Sequence, residues 1–271
     1  MVRRKSVRFF LVSSLVLAVL FLAASKSAAD WKVYVAPGLG ISDGTVDTDG
    51  QTGPAVSIVR LNGSDHDSSL LLNFAVGLEV PLDELVPREW LLDVRLPDWP
   101  VRAEIEAGGL REYNFRTNLG PGADFFGEIK ATTAMVNFWL DIPMVAIYKP
   151  IQYTFSLGRQ PLLRRWLDRA SFYAGAGVGF SSVEIEGRSN IVQGDDDSIS
   201  FAWNAGFGMN YALTNNVSLS TGYRFIGLGE RTIDLSGGQQ GLNDEVEFTP
   251  FVHEFRVAIR IRVFEFFSPW R

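Results

Sequence analysis

The sequence predicts an all-β chain, an eight-stranded antiparallel up-and-down β-barrel that crosses a lipid bilayer. Three observations predict it. Eight separate stretches alternate with a period of two, the signature of strands. In each, the bulky apolar residues share one face and small or charged residues share the other. That is the reverse of what a solvated exterior requires. Finally, the chain has 271 residues, no Cys, 12 Pro and 26 Gly, with a mean hydropathy of +0.08, well short of a helical membrane protein.

The long apolar run at the start of the chain is of a different kind. Arg3, Arg4, Lys5 and Arg8 precede Phe9 to Ala24, and Ser27-Ala28-Ala29 stands before Asp30. A basic region, an apolar region and a small-residue site make residues 1–29 a signal peptide cleaved after Ala29, with the barrel domain over 30–271. Removing residues 1–29 takes away five basic and no acidic side chains, leaving 20 basic against 31 acidic. So acidic a chain does not suit nucleic acid. An exported chain without Cys depends on hydrogen bonding and packing for its stability.

The first strand sets Trp31, Val33, Val35, Pro37 and Leu39 against Lys32, Tyr34, Ala36 and Gly38. Ser42 to Ser69 is polar and turn-rich and reads as an exposed loop. In the second strand Leu70, Leu72, Phe74, Val76, Leu78 and Val80 face out, and Asn73, Ala75, Gly77 and Glu79 face in. The third sets Val101, Ala103, Ile105 and Ala107 against Arg102, Glu104, Glu106 and Gly108. The fourth sets Ala134, Val136, Phe138, Leu140 and Ile142 against Thr133, Met135, Asn137, Trp139 and Asp141. In the fifth, Phe172, Ala174, Ala176, Val178 and Phe180 oppose Tyr173, Gly175, Gly177, Gly179 and Ser181.

Ser200 to Gly229 is a complete hairpin and supplies the sixth and seventh strands. Phe201, Trp203, Ala205, Phe207, Met209 and Tyr211 alternate with Ala202, Asn204, Gly206, Gly208 and Asn210. A tight Thr214-Asn215-Asn216 connection follows. Val217, Leu219, Thr221, Tyr223 and Phe225 then oppose Ser218, Ser220, Gly222 and Arg224. Phe201 to Tyr211 spans roughly 33 Å of strand. Tilted by about 45°, that projects to roughly 24 Å, close to the ~25 Å apolar band of a transmembrane barrel. The last strand has Phe255, Val257, Ile259, Ile261 and Val263 outward, with Glu254, Arg256, Ala258, Arg260 and Arg262 inward.

With these elements the chain resembles the small eight-stranded outer-membrane barrels, the OmpA-type and Opa-type surface proteins of Gram-negative bacteria. The residues carrying the resemblance are Leu78-Glu79-Val80, Arg102-Ala103-Glu104-Ile105-Glu106, Asn137 with Asp141, Tyr173 to Gly179, and the Ser200–Gly229 hairpin. The resemblance implies an outer-membrane location, periplasmic termini and a structural or surface role, as in porin-like surface antigens. Two departures stand out. Phe264-Glu265-Phe266-Phe267 is followed by Ser268-Pro269-Trp270-Arg271, where the family often ends on an aromatic read by the assembly machinery. The connections Leu82–Pro100 and Pro143–Ala170 are also longer than the family's periplasmic turns.

Both connections admit a second reading. Leu92, Val94 and Leu96, and Ile151, Tyr153, Phe155 and Leu157, alternate as an extra strand pair would. Pro97, Pro100 and Pro150 favour eight strands over ten. Pro161 to Ala170 reads as a short amphipathic helix, with Leu162, Leu163, Trp166 and Leu167 apolar and Arg164, Arg165 and Arg169 basic. Such a helix either lies on the phospholipid of the periplasmic leaflet or caps the barrel end.

Eight strands enclose a lumen about wide enough for side chains to fill. Parity places Lys32, Arg102, Arg224, Arg256, Arg260 and Arg262 there, with Glu79, Glu104, Glu106, Asp141 and Glu254. Six cations against five anions suit a salt-bridged plug better than a conducting pore or a catalytic cluster. An enzyme acting on lipid A, the alternative along with a narrow channel, would need His with Ser or an acidic partner at the rim. The chain has only His66, in Gly63-Ser64-Asp65-His66-Asp67, and His253, in His253-Glu254-Phe255. No catalytic residue, metal site or cofactor is expected.

The presumed outer loops are acidic: Asp43, Asp47, Asp49, Asp65 and Asp67; Asp195 to Asp197; Asp234, Asp244, Glu245 and Glu247. Asp47-Thr48-Asp49-Gly50 fails as a calcium loop, since Thr45 and Val56 occupy its first and last ligand places. The expected partners are outer-membrane lipid and lipopolysaccharide, the latter through divalent ions, the assembly machinery, and an extracellular ligand met by the acidic loops. The barrel is expected to be a monomer.

Overall fold

The computed structural model describes residues 31–52, 59–60, 63–85, 96–118, 124–148, 161–188, 193–235 and 244–266. The signal peptide and its cleavage site, the alternating residues 92–94 and 151–157, and the C-terminal residues 267–271 lie outside the described residues. Residues 96–99 are described and are not strand.

The strands are β1 (Trp31–Thr52), β2 (Val59–Arg60), β3 (Gly63–Pro81), β4 (Pro100–Asn118) and β5 (Asp124–Pro143). They continue with β6 (Ala170–Arg188), β7 (Gln193–Ala212), β8 (Val217–Gly227), β9 (Arg231–Leu235) and β10 (Asp244–Phe266). Eight of them form the wall, in the order β1-β3-β4-β5-β6-β7-β8-β10, and β10 pairs back onto β1. Every pairing is antiparallel, so the tube is an up-and-down barrel with no free long edge. The short β2 and β9 extend the sheet at the end away from Trp31 and Phe266.

The wall is inverted relative to a water-soluble barrel. Phe207, Val257 and Ile259 are 50%, 43% and 47% exposed on its outside, while Arg224 and Glu254 are fully buried inside. Aromatic rings pack on the outer face in rows, with Phe172 stacked on Phe207, Tyr223 against Phe255 and Phe225 against Phe251. The β7–β8 turn is closed by Leu213, whose N–H donates to the carbonyl of Val217 at 2.9 Å. The Thr214 hydroxyl caps the same turn by accepting the amides of Asn216 and Val217.

The strands run further than alternation alone suggests. Most of the stretch from Ser42 to Ser69 is strand, not loop, because β1 reaches Thr52 and β3 begins at Gly63. Of the acidic residues assigned to loops, Asp43, Asp47, Asp49, Asp65 and Asp67 therefore sit on β1 and β3. Asp195 to Asp197 sit on β7, Asp234 on β9, and Asp244, Glu245 and Glu247 on β10.

β4 reaches Asn118 through a bulge, where its register with β5 shifts between Gly108 and Arg111. Gly109 and Leu110 both face outward, and Leu110 has a φ of 60°. A left-handed non-glycine residue costs of order 1–3 kcal/mol and is held by its surroundings. Here Ser69 donates to the carbonyl of Leu110. Past the bulge the odd residues of β4 face inward, where the even ones did before.

A lumen filled in two layers

The lumen brings together all eleven charged side chains that parity assigns to it, and it adds one more cation, Arg111. Near the middle, Glu254 accepts from Arg111 at 2.7 Å and from Arg224 at 2.7 Å. Arg224 also reaches Glu106 at 2.7 Å, and Glu106 meets Arg256 at 2.7 Å. The result is a buried chain of alternating sign, Arg111–Glu254–Arg224–Glu106–Arg256, drawn from β4, β8 and β10. Asn204 donates to Asn137, and Asn137 donates to Glu106, tying β7 and β5 to the same chain.

A second cluster lies closer to the chain termini. Arg102 pairs with Glu104 at 2.6 Å and with Asp141 at 2.9 Å, and Asp141 also meets Arg260 at 3.3 Å. Glu104 accepts two further hydrogen bonds, from the Tyr34 hydroxyl at 2.6 Å and the Trp139 indole at 2.8 Å. The guanidinium groups lie over rings: Arg256 over Trp139 at 5.4 Å, Arg102 over Tyr173 at 5.0 Å and Arg260 over Tyr34 at 5.4 Å. At the mouth, Glu79 pairs with Arg262 at 3.0 Å and Lys32 at 3.9 Å. Lys32 and Arg262 are partly exposed. Buried Arg102, Arg111, Arg224 and Arg260, with Arg256 at 10% exposure, balance buried Glu79, Glu104, Glu106, Asp141 and Glu254.

A cavity of about 20 Å³ remains beside Arg102, Glu104, Glu106 and Arg256. That is room for a water or so, not for a hydrated ion.

Above the ionic layer the filling changes. Leu71, Tyr113, Phe115, Ile129, Val183, Ile226, Leu228 and Val252 are all buried inside the distal half of the tube. The rings there need close neighbours without side chains. A Cβ on Gly44 would stand 2.9 Å from the Tyr113 ring, and one on Gly127 would run into the Phe115 ring. The Tyr113 hydroxyl is matched by Ser42 at 2.5 Å, and Ser181 donates to the carbonyl of Leu228 at 2.5 Å. This layer has the composition of an ordinary protein core. Its place above the apolar belt explains why: the wall around it faces water, with Glu112, Asn114, Arg116, Lys130, Glu184 and Glu186 exposed on the outside.

Where β3 and β4 emerge from the belt, side chains replace the backbone ladder. The Ser69 hydroxyl accepts the amide of Glu112 at 2.9 Å, Asp67 accepts that of Asn114 at 2.8 Å, and Asp65 accepts that of Arg116 at 2.7 Å. The hydrogen bond from the Asn114 amide holds the Asp67 carboxyl below its usual range. Two carboxylates assigned to a ligand-binding loop therefore stitch a seam in the wall.

The two histidines lie on the strands either side of β1, His66 opposite Thr45 and His253 opposite Asp43. His66 is exposed, and its backbone N–H donates to Asp65. His253 lies on the outer face, its Nδ1 2.5 Å from the Tyr223 hydroxyl and its ring against Phe225. Among the described residues no group of His and acidic side chains has the spacing of a metal site.

Sequence reasoning missed Arg111 and the apolar layer. Tyr113 and Phe115 alternate with Glu112 and Asn114 as a strand should, and Ile129 with Lys130. The bulge inverts the parity of Tyr113 and Phe115 relative to the residues below, so the pattern breaks in the middle of β4, while Ile129 keeps the parity of the rest of β5.

Residues 14–249 match the family model of the outer membrane protein beta-barrel domain. Over 151 residues the chain is 27% identical to outer membrane protein PagN of Salmonella typhimurium, a match that covers 49% of this chain and 52% of PagN. The chain thus spans about half the length of that relative. Among solved structures it is similar to Neisserial surface protein A, at 13% identity and a TM-score of 0.40, covering 85% of this chain and 97% of that one. It is likewise similar to OprG of Pseudomonas aeruginosa, at 12% identity and a TM-score of 0.43, covering 87% and 99%. With the family model matching most of its length, the chain belongs to the outer membrane protein β-barrel domain family and is a protein of the outer membrane.

Proposed function

We propose that the protein acts at the cell surface as a non-enzymatic, non-conducting barrel, whose extended outer ends make its contacts. The observation that supports this most is the double filling of the lumen. Ion pairs occupy the membrane section and a packed apolar layer closes the outer section, so no continuous path is left for solute. What remains available to partners is the outside of the projecting wall. Glu112, Glu128, Glu184 and Glu186 crowd around Lys130, with Lys130 2.6 Å from Glu128. In this reading, residues 1–29 direct export, the assembly machinery inserts the monomer, and lipopolysaccharide surrounds the acidic wall. Extracellular ligands meet the strand ends and the connections between them.

Planar-bilayer recordings of the refolded chain test closure, and the expected result is no ohmic step above the lipid baseline. Removal of the outer connections at residues 53–58, 119–123, 189–192 and 236–243, followed by cell- and ligand-binding assays, tests the surface role. Loss of binding with the barrel still folded is expected. Reproducible conductance would overturn the closed lumen. A lipid A product lost on His66→Ala or His253→Ala would overturn the non-enzymatic reading.

A further inference from the structure

At the periplasmic end the helix Pro161–Leu167 docks against the outside of the barrel rather than beneath its mouth. Its Trp166 stacks on Tyr211, with ring centroids 6.1 Å apart and planes at 23°. Tyr211 belongs to the lipid-facing row of β7 that begins at Phe201, so the ring pair lies on the outer wall at the lower edge of the apolar belt. Leu167 and Ala170 are buried against the barrel, and the amide of Ala212 donates to the carbonyl of Arg169, fixing the helix end to the β7–β8 turn. Trp166 and Leu213 remain exposed beside it.

Three arginines stand within three positions of Trp166 in the chain, and Arg164, Arg165 and Arg169 are all exposed. The one carboxylate among them, Asp168, is already engaged. It accepts the Tyr148 hydroxyl at 2.5 Å and lies 3.9 Å from Arg164, an exposed pair. Among the described residues Arg165 and Arg169 have no carboxylate partner. In a chain that carries 20 basic against 31 acidic residues after Ala29, three guanidinium groups within six residues are a local reversal of charge.

We propose that this rim binds the headgroup of an anionic phospholipid in the periplasmic leaflet. Arg164, Arg165 and Arg169 meet its phosphate, while Trp166 and Tyr211 lie along its glycerol and upper acyl chains. The inference is independent of the surface role proposed above, because it concerns the opposite end of the molecule. Guanidinium groups bind phosphate oxygens through paired N–H donors, and amphipathic rings favour the depth of the headgroup. Both requirements meet here within the six residues from Arg164 to Arg169. A helix capping the mouth would instead bury Trp166 and turn the arginines towards Glu79 and the lumen.

The test uses the full chain refolded in detergent and examined by native mass spectrometry with phosphatidylglycerol or phosphatidylcholine added. The wild type is expected to keep phosphatidylglycerol adducts at least five-fold better than phosphatidylcholine. R164Q/R165Q/R169Q is expected to lose that preference, and Lys130→Gln, at the other end, to keep it. Heat-modifiable gel migration verifies that each variant is folded. Should the triple variant fail to fold, Arg165→Gln and Arg169→Gln singly carry the test, each with at least a two-fold loss. Equal retention of the two lipids by the wild type, or an unchanged preference in folded variants, would overturn the proposal. Competition by inorganic phosphate alone would show a site for free anion and not for lipid, which also overturns it.

Discussion

Glu254→Gln isolates the ionic layer with little change of shape. The carboxylate is fully buried and accepts from Arg111 at 2.7 Å and from Arg224 at 3.0 and 2.7 Å. Glutamine keeps the volume and one acceptor, but it removes the charge and turns an N–H₂ towards a guanidinium. Arg224 keeps the Glu106 carboxylate at 2.7 Å, whereas Arg111 loses its carboxylate partner and keeps, among the described residues, the neutral acceptors Thr133 and the carbonyl of Gly108. Breaking a buried pair from one side costs about 3–5 kcal/mol. That is roughly two to nearly four orders of magnitude in the folded-to-unfolded ratio. Arg262→Gln is the internal control. Its side chain is 21% exposed at the mouth, so its bond to Glu79 is of the solvated kind, worth about 0.2–1 kcal/mol. Urea unfolding in lipid vesicles, followed by gel migration and tryptophan fluorescence, compares the two. Adding Arg111→Met to Glu254→Gln is expected to recover part of the loss, since it removes the orphaned charge. If Glu254→Gln falls within about 1 kcal/mol of wild type, the ion-pair account of the lumen is refuted.

Three further outcomes follow from the same geometry. Tyr34→Phe removes one of the hydrogen bonds to the buried Glu104 carboxylate and is expected to cost about 1.5–3 kcal/mol in the same urea assay. Phe207→Arg places a cation on the belt and is expected to cost about 2–4 kcal/mol, while Phe207→Leu stays near wild type; equal effects would mean that this face does not meet lipid. At the β3–β4 seam, the Asp67 pKa is lowered on folding, so its contribution is present at neutral pH and is lost as the pH falls through the folded value, below about pH 4. Amide exchange at Asn114, compared between Asp67→Ala and wild type at neutral pH, is expected to rise roughly five-fold, the equivalent of one hydrogen bond, and the difference should vanish in acid.

How far the fold could be read from the residues follows from the physics of each layer. Within the apolar belt, the lipid outside and the narrow space inside impose one rule on every strand. Phe201 to Tyr211 and Phe255 to Val263 therefore declare their faces without help from neighbours. Glu79, Glu104 and Arg260 follow the same parity, so the positions of the lumen charges were legible. Which charge meets which was not, because Arg224 and Glu106 lie 118 positions apart in the chain and depend on the shear of the closed tube. The distal half was illegible for a different reason. Asp65 and Asp67 look like loop residues since Asp suits turns, yet here their side chains substitute for strand pairing. Arg111 was concealed by a single bulge, which no alternation score carries across.

The one-residue slip at Gly109 and Leu110 gives the tube two opposite grammars on one continuous strand. On the terminal side of it the even residues of β4 turn to the marrow, Arg102, Glu104 and Glu106 among them; on the distal side the odd ones do, Arg111, Tyr113 and Phe115. Were Leu110 to take its turn inward as an ordinary strand residue, everything beyond it would rotate by half a turn, carrying Glu112 and Asn114 to the axis and casting Tyr113 and Phe115 into water; excising Leu110 would remove the slip and leave them in place. The slip is thus the frontier at which the same chain ceases to answer to lipid and begins to answer to solvent.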